Sequence, residues 1–231
     1  VVEPTHTNVP AEVNHCDSPS QLGDKRFDVI IIAIKPQMID EVMPSYRSFL
    51  LDDGCVISIA AGCAMSSLKA IWDGHAILRM MPNMPAFIGK GISGLVADDL
   101  ATAAQRDLLE QLANQVGQSV WVESEDMLDR LTAVSGSGPG YVFEIARVYV
   151  EAAKSLGFSN SEARKLALST IAGTAQMATA SDASLTDLRN SVTSKKGTTE
   201  AGLNALNGGG EISERLQHAL QAAYDRAVEL R

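Results

Sequence analysis

Asp28-Val29-Ile30-Ile31-Ile32-Ala33-Ile34 is a short, β-branched and almost unbroken apolar run, the pattern of a strand buried on both faces of a parallel sheet. Downstream of it, Pro36 opens a stretch over 36–50 that reads as a helix, because proline is pre-set for the first helical turn. A second buried strand follows at Cys55-Val56-Ile57-Ser58-Ile59, then a short helix near 66–72 and a third strand at Ala76-Ile77-Leu78-Arg79-Met80. Strands and helices alternating in steps of this size form right-handed βαβ units, so the expected fold class is α/β with a doubly wound parallel sheet. Leu108, Leu109, Leu112 and Val116 recur at helical spacing over 102–116, and Ser119-Val120-Trp121-Val122 supplies one more strand.

Beyond Glu123 the strand pattern stops. Tyr141, Ile145, Val148, Tyr149, Ala152 and Leu156 fall on one helical face, and Gly157 closes that helix. Ser159 and Glu162 have the spacing of a capping box for a helix over 161–180. After the breaker Gly208-Gly209-Gly210, a last helix places Ile212, Leu216, Leu220, Ala223, Ala227 and Leu230 on a stripe. The expectation is two domains, 1–123 sheet-based and 124–231 all-helical. So many alanine-rich helices need a covering surface; a dimer formed by the second domain supplies one, and a compact monomeric bundle is the alternative.

Upstream of residue 28 the strand signal is thin. A dinucleotide-binding sheet opens with a strand and a GxGxxG loop whose N–H groups hold the pyrophosphate, and no such loop occurs here. Val1-Val2-Glu3 suits the tail of a second strand, so the sheet is expected to lack its first β-α unit, about 30 residues or somewhat more. Glu3 would then face an adenosine ribose, accepting from its 2′-OH and repelling a 2′-phosphate, which favours NAD over NADP.

Composition narrows the function classes. A net charge of −9 over 231 residues argues against a nucleic-acid or anionic-membrane surface. Cys16, Cys55 and Cys63 are odd in number and show no CxxC spacing, so neither a disulfide framework nor a zinc site is expected, and a cytoplasmic location fits. His6, His15, His75 and His218 are scattered without HExxH, which argues against metal hydrolysis. No run of about 18 apolar residues spans a bilayer, and Val1-Val2-Glu3-Pro4 is not a signal peptide.

In an open α/β sheet, ligands gather outside the carboxyl ends of the strands. Three such ends stand out: Ala33-Ile34-Lys35-Pro36-Gln37, Ala60-Ala61-Gly62 and Met81-Pro82-Asn83-Met84-Pro85. Small residues admit a flat cofactor, Lys35 offers a cation, and two prolines bracket Asn83. Each alone is an ordinary turn; their recurrence favours a site. In the helical half, Ser191-Val192-Thr193-Ser194-Lys195-Lys196-Gly197-Thr198-Thr199-Glu200 runs into a helix starting near Thr199, joining hydroxyls, a glycine and a helix N-terminus as a small carboxylate requires. A plain capped turn uses the same residues. Ser135-Gly136-Ser137-Gly138-Pro139 lacks the spacing and the strand-to-helix setting of a hydrolase elbow and reads as a tight helix–helix connection.

Taken in order, these segments, with Ala133-Val134 before the Ser-Gly-Ser-Gly-Pro run and Leu188-Arg189-Asn190 before the hydroxyl-rich loop, resemble the pyrroline-5-carboxylate reductase family over nearly the whole chain. The loop ending in Thr199-Glu200-Ala201 is the most specific of them. The resemblance implies a Rossmann-type domain for NADPH or NADH, a helical substrate-binding and dimerisation domain, homo-oligomers from dimer to decamer, and hydride transfer to 1-pyrroline-5-carboxylate giving L-proline. It assigns the substrate to Ser194, Gly197, Thr198 and Thr199, with Thr199 nearest to catalytic and bonding the ring nitrogen. The cofactor falls to Ala33, Ile34, Lys35, Pro36, Ala60, Ala61 and Asn83. Met84, Gly140, Lys196 and Ser191 depart from the family's usual Thr, Ala, Gly and Asn; Ser191 removes an expected amide contact to the cofactor, and Lys196 makes the substrate loop stiffer and more positive. Two other readings compete: a different two-domain dehydrogenase, such as one for 3-hydroxy acids, which would want a catalytic lysine where only Lys154 is on offer, and a non-catalytic oligomerisation module.

Overall fold

A computed structural model describes residues 1–4 and 9–230, so His6 lies outside the described residues. The chain separates into two units, 1–136 with 224–231, and 137–223.

In the first unit, β1 (Phe27–Ile32), β2 (Leu50–Ser58), β3 (Ala76–Met81), β4 (Gly91–Ala97) and β5 (Gly117–Trp121) hydrogen-bond in that order. All pairings are parallel except β3 with β4. The sheet is therefore mixed where a wholly parallel one was expected, because β4 escapes a pattern reading. Gly91 and Gly94 interrupt its apolar run, and both glycines have a packing cause. A Cβ on Gly94 would stand 2.7 Å from Leu128 Cδ1 and Leu131 Cδ2, so the helix above β4 lies flat on bare backbone. The link from β3 to β4 is a 3₁₀ turn, Met84–Ile88, too short for the crossover that a parallel neighbour needs.

Helices cover both faces. Ile32, Val56, Ile77 and Val96 pack with Ile39 of α1 (Ile39–Val42), Leu68 of α2 (Met65–Ile71), Met43 and Trp72. Cys55, Ile57, Leu78 and Leu95 pack with Leu109 and Ala113 of α3 (Ala103–Asn114), whose start is fixed by a Thr102/Gln105 capping box. Neighbours along each strand fall into opposite clusters, as the two-residue period of a strand requires. Leu128, on α4 (Glu125–Leu131), belongs to the first cluster. For that reason the compact unit extends to Gly136, past the change of texture at 123/124. The helix expected over 36–50 is broken into a 3₁₀ turn (Pro36–Met38), α1 and a second 3₁₀ segment (Met43–Phe49). Pro44 is the cause, having no N–H for the carbonyl of Asp40 and no room beside it. At the front, Val2 forms a single parallel bridge with Cys16.

The second unit is helical: α5 (Gly138–Ser155), α6 (Asn160–Thr179), α7 (Leu185–Ser191), α8 (Thr198–Asn207) and the greater part of α9 (Glu211–Glu229), whose final turns from Tyr224 belong to the first unit. Gly157 takes φ 99° after α5, and the Ser159/Glu162 capping box starts α6. α5 and α6 meet through alanines, with Ala146, Ala153, Ala163 and Ala167 buried. The apolar stripe of α5 faces elsewhere: Ile145 is 59%, Tyr149 45% and Leu156 82% exposed. Within this chain the stripe is uncovered, because side chains that large would hold two helices too far apart for the alanine contact.

Candidate active site

Parallel pairing of β1 with β2 brings their carboxyl ends side by side, and Ile59 N–H donates to the Ile32 carbonyl at 3.0 Å, extending the ladder to the tips. Ala33 and Ala61 are exposed there, Ile34 and Pro36 half-buried, and Ala60 buried. Lys35 is exposed, and its carbonyl accepts the Met38 N–H that starts the following 3₁₀ turn. A cavity of about 220 Å³ lies against these tips, bounded by Pro36, Gln37, Gly62, Cys63 and Leu230. Gly62 must be glycine: its φ is +70°, and a Cβ would stand 2.9 Å from the Leu230 carbonyl oxygen. Burial pushes the Cys63 thiol up, only partly opposed by the Arg79 charge.

Asn83 is placed at the tip of β3, but its amide is largely committed. Nδ2 donates to the Ser135 carbonyl at 3.1 Å and Oδ1 accepts the Ile92 N–H at 3.0 Å. Asn83 thus braces the strand tip to β4 and to the π-helical turn Thr132–Gly136, which joins α4 to α5. The hydroxyls of Thr132 and Ser135 bond back to the carbonyls of Leu128 and Leu131 at 2.7 and 3.0 Å, tying both side chains to the turn.

Arg79 is a residue that the pattern reading passed over. It sits within an apolar strand, only 3% exposed, and donates from Nη1 to Glu125 Oε1 at 2.8 Å and from Nη2 to the Ala60 carbonyl at 3.1 Å. Glu125 Oε1 also accepts the Met65 N–H at 2.8 Å. The available signal was chemical: a charge amid Ala76-Ile77-Leu78 has to find a buried partner.

In the second unit the hydroxyl-rich loop divides its donors. Ser191 Oγ and Thr193 Oγ1 turn back onto the carbonyls of Leu188 and Arg189 at 2.7 and 2.6 Å, tying the loop to α7. Gly197 caps α8, yet its own N–H donates to the Ser194 carbonyl at 2.9 Å and is not available to a ligand as expected. The first intrahelical bond is Ala201 N–H to the Gly197 carbonyl, which leaves the N–H groups of Thr198 and Thr199 at the helix head without intrahelical acceptors. Among the described residues, the side chains of Ser194, Thr198 and Thr199 are exposed and make no hydrogen bond. The Glu200 carboxylate folds back to accept the Lys196 N–H at 2.7 Å, holding Lys196 at φ 59°. Lys195 and Lys196 are exposed in the same loop. Lys154, the lysine on offer to the rival dehydrogenase reading, is paired with Glu151 at 3.0 Å on the exposed end of α5.

A sheet with small residues at its strand tips, carried with a helical unit whose α5 stripe lies bare, fits the class of dinucleotide-fold proteins with an oligomerising helical partner. Residues 125–230 match the family model for pyrroline-5-carboxylate reductase dimerisation. The chain is 39% identical over 205 residues to the pyrroline-5-carboxylate reductase of Pseudomonas aeruginosa, covering 88% of this chain and 74% of that protein. The structure of a pyrroline-5-carboxylate reductase from Coxiella burnetii superposes with a TM-score of 0.87 at 35% identity, covering 94% of this chain and 81% of the other. That of the Plasmodium falciparum pyrroline carboxylate reductase, with NADP bound, gives 0.86 at 25% identity over 99% and 86%. The chain belongs to the pyrroline-5-carboxylate reductase family.

Proposed function

We propose that this chain reduces 1-pyrroline-5-carboxylate to L-proline, with its sheet-based front (1–123) serving the nicotinamide and its helical back (124–231) serving the substrate and the dimer. The observation that carries the residue assignment is the helix head at Thr198 and Thr199, two unpaired N–H groups beside unpaired hydroxyls. There the substrate carboxylate meets the Thr198 and Thr199 N–H groups and Ser194 Oγ, and Thr199 Oγ1 bonds the ring nitrogen. These contacts orient the ring and stabilise charge on its nitrogen, the two things the protein must supply. Gly197 contributes by shape, since its bare Cα lets Ser194 fold under the helix start.

The tips of β1 and β2 fit a nicotinamide: Ala33, Ala60 and Ala61 keep side-chain bulk away from its faces, and the neighbouring cavity has room for part of it. Ile34, Lys35 and Pro36 line the ribose side, and Asn83 holds the third tip in place. NADPH or NADH, when bound, supplies the hydride. Glu3 favours NADH, whereas the Plasmodium relative was solved with NADP, so competition between the two cofactors decides the preference.

The bare stripe of α5 supports a homodimer through the helical unit, from which a decamer would be built. The net charge of −9 supports a partner list without nucleic acid or anionic membrane, and the free cysteines Cys16, Cys55 and Cys63 support a cytoplasmic place of work. Among the described residues no helix is long and apolar enough to cross a membrane. The test is consumption of NAD(P)H with pyrroline-5-carboxylate in wild type and Thr199→Val. Turnover is expected to fall about tenfold or more with the fold intact, because a hydrogen bond made to developing charge is lost. Equal rates would remove Thr199 from the mechanism, and a dimeric wild type without turnover would favour the oligomerisation module.

A further inference from the structure

The segment 60–65 joins the tip of β2 to α2, and it is held at both ends by a single ion pair. Arg79 Nη2 grips the Ala60 carbonyl at the segment's start, and Glu125 Oε1, itself bonded to Arg79 Nη1, grips the Met65 N–H at its finish. Between them lie Ala61, Gly62 and Cys63, which face the strand-tip cavity or the proposed nicotinamide position. We infer that Arg79 is a positioning residue for the cofactor, acting with Glu125 as a two-ended clamp that fixes the backbone of residues 60–65.

The chemistry favours this reading over that of an incidental buried ion pair. A planar guanidinium carries its two grips on separate nitrogens held at fixed spacing, so it spans a carbonyl and a carboxylate that the single nitrogen of an ammonium would have to approach together. Arg79 Nε is buried without a hydrogen-bond partner, and a pair chosen for stability alone would be expected to satisfy it or be replaced by apolar packing. Both grips fall on backbone groups, so the clamp sets chain path and leaves the cofactor surface free of charge.

This inference rests on Ala60 and Ala61 lining the cofactor, and the experiment separates the two claims. Amide hydrogen exchange of the cofactor-free full chain reads the clamp; calorimetric titration with oxidised and reduced NAD and NADP reads its consequence. Arg79→Gln is expected to speed exchange across 60–65 and to weaken cofactor binding about tenfold, with the KM for pyrroline-5-carboxylate at saturating cofactor changed less than twofold. Arg79→Lys keeps the charge but cannot span both groups, and is expected to recover neither readout. Should Arg79→Gln fail to fold, Glu125→Gln, at a partly exposed position, is expected to speed exchange at Met65 with a smaller loss of cofactor affinity. Unchanged exchange, unchanged affinity or full rescue by lysine overturns the clamp. A wild type that binds none of the four nucleotides overturns the cofactor reading and the inference with it. Ala61→Phe with wild-type affinity does the same, whatever the exchange data show.

Discussion

Gly197→Ala probes the substrate loop without replacing any of the side chains proposed to bond the substrate. Gly197 has φ −85° and ψ 172°, conformations open to any residue, so backbone strain is not the issue. The added Cβ would collide with Ser194 Oγ, which can rotate away, and would stand 2.9 Å from the Ser194 carbonyl oxygen, which cannot. Ordinary contact begins at 3.4 Å, so the loop and the helix start must separate by about 0.5 Å. A misplacement of about 1 Å in a reacting geometry costs on the order of a hundredfold, so about tenfold is expected in kcat/KM for pyrroline-5-carboxylate. Stability should change by only about 1 kcal/mol, the scale of one strained surface turn. Steady-state kinetics at saturating cofactor, paired with chemical denaturation, give both numbers. Wild-type kcat/KM in a folded Gly197→Ala enzyme would refute the reasoning, because the shift is imposed where the carboxylate is said to bind.

Other perturbations test separate parts of the account. Gly117→Ala places a Cβ on the Gly91 carbonyl of the neighbouring strand at φ 150°, and denaturant unfolding should show a loss of about 3 kcal/mol or more; Gly140→Ala, with open space around it in a helix, should gain about 0.5–1 kcal/mol. The Glu162 carboxyl is held below its ordinary value of 4.5 by the Ser159 hydroxyl and backbone N–H, so its stabilising effect is complete above that pH and is lost as pH falls through the folded-state value. The stability gap between wild type and Ser159→Ala, followed by denaturation across acid pH, should therefore narrow on acidification; a gap that widens contradicts the capping box. Ile145→Glu, on the bare stripe of α5, should shift the sedimentation profile from dimer toward monomer at micromolar protein, and an unchanged profile would place the dimer interface elsewhere.

Much of the sheet could be read from residues because β1, β2 and β3 are continuous apolar runs, a signal carried by neighbours in sequence. β4 could not, since Gly91 and Gly94 are there for Ala86 and for Leu128 and Leu131, contacts that exist only after folding. Pro44 was in plain view, yet the stretch over 36–50 was read from Pro36 at its start and the break that Pro44 imposes was passed over. The stripe of α5 was legible as apolar but not as uncovered, because alanines on the other side of the helix make the intrachain contact. At the site, the loop announced itself through Gly197 and its hydroxyls. Which hydroxyls are consumed internally depends on the turn out of α7, so the residue pattern alone did not separate Ser191 and Thr193 from Ser194 and Thr199; only the family resemblance did. The Arg79–Glu125 pair joins residues 46 apart, and no local pattern encodes it.

The central claim is that this chain moves a hydride onto the imine carbon of pyrroline-5-carboxylate. Its most direct test is reduction with NADPH or NADH carrying deuterium at the transferable position, followed by mass spectrometry of the product. The account predicts proline bearing one deuterium on the ring carbon that borders nitrogen and lacks the carboxylate. Unlabelled proline, or cofactor oxidised with no proline formed, would contradict it.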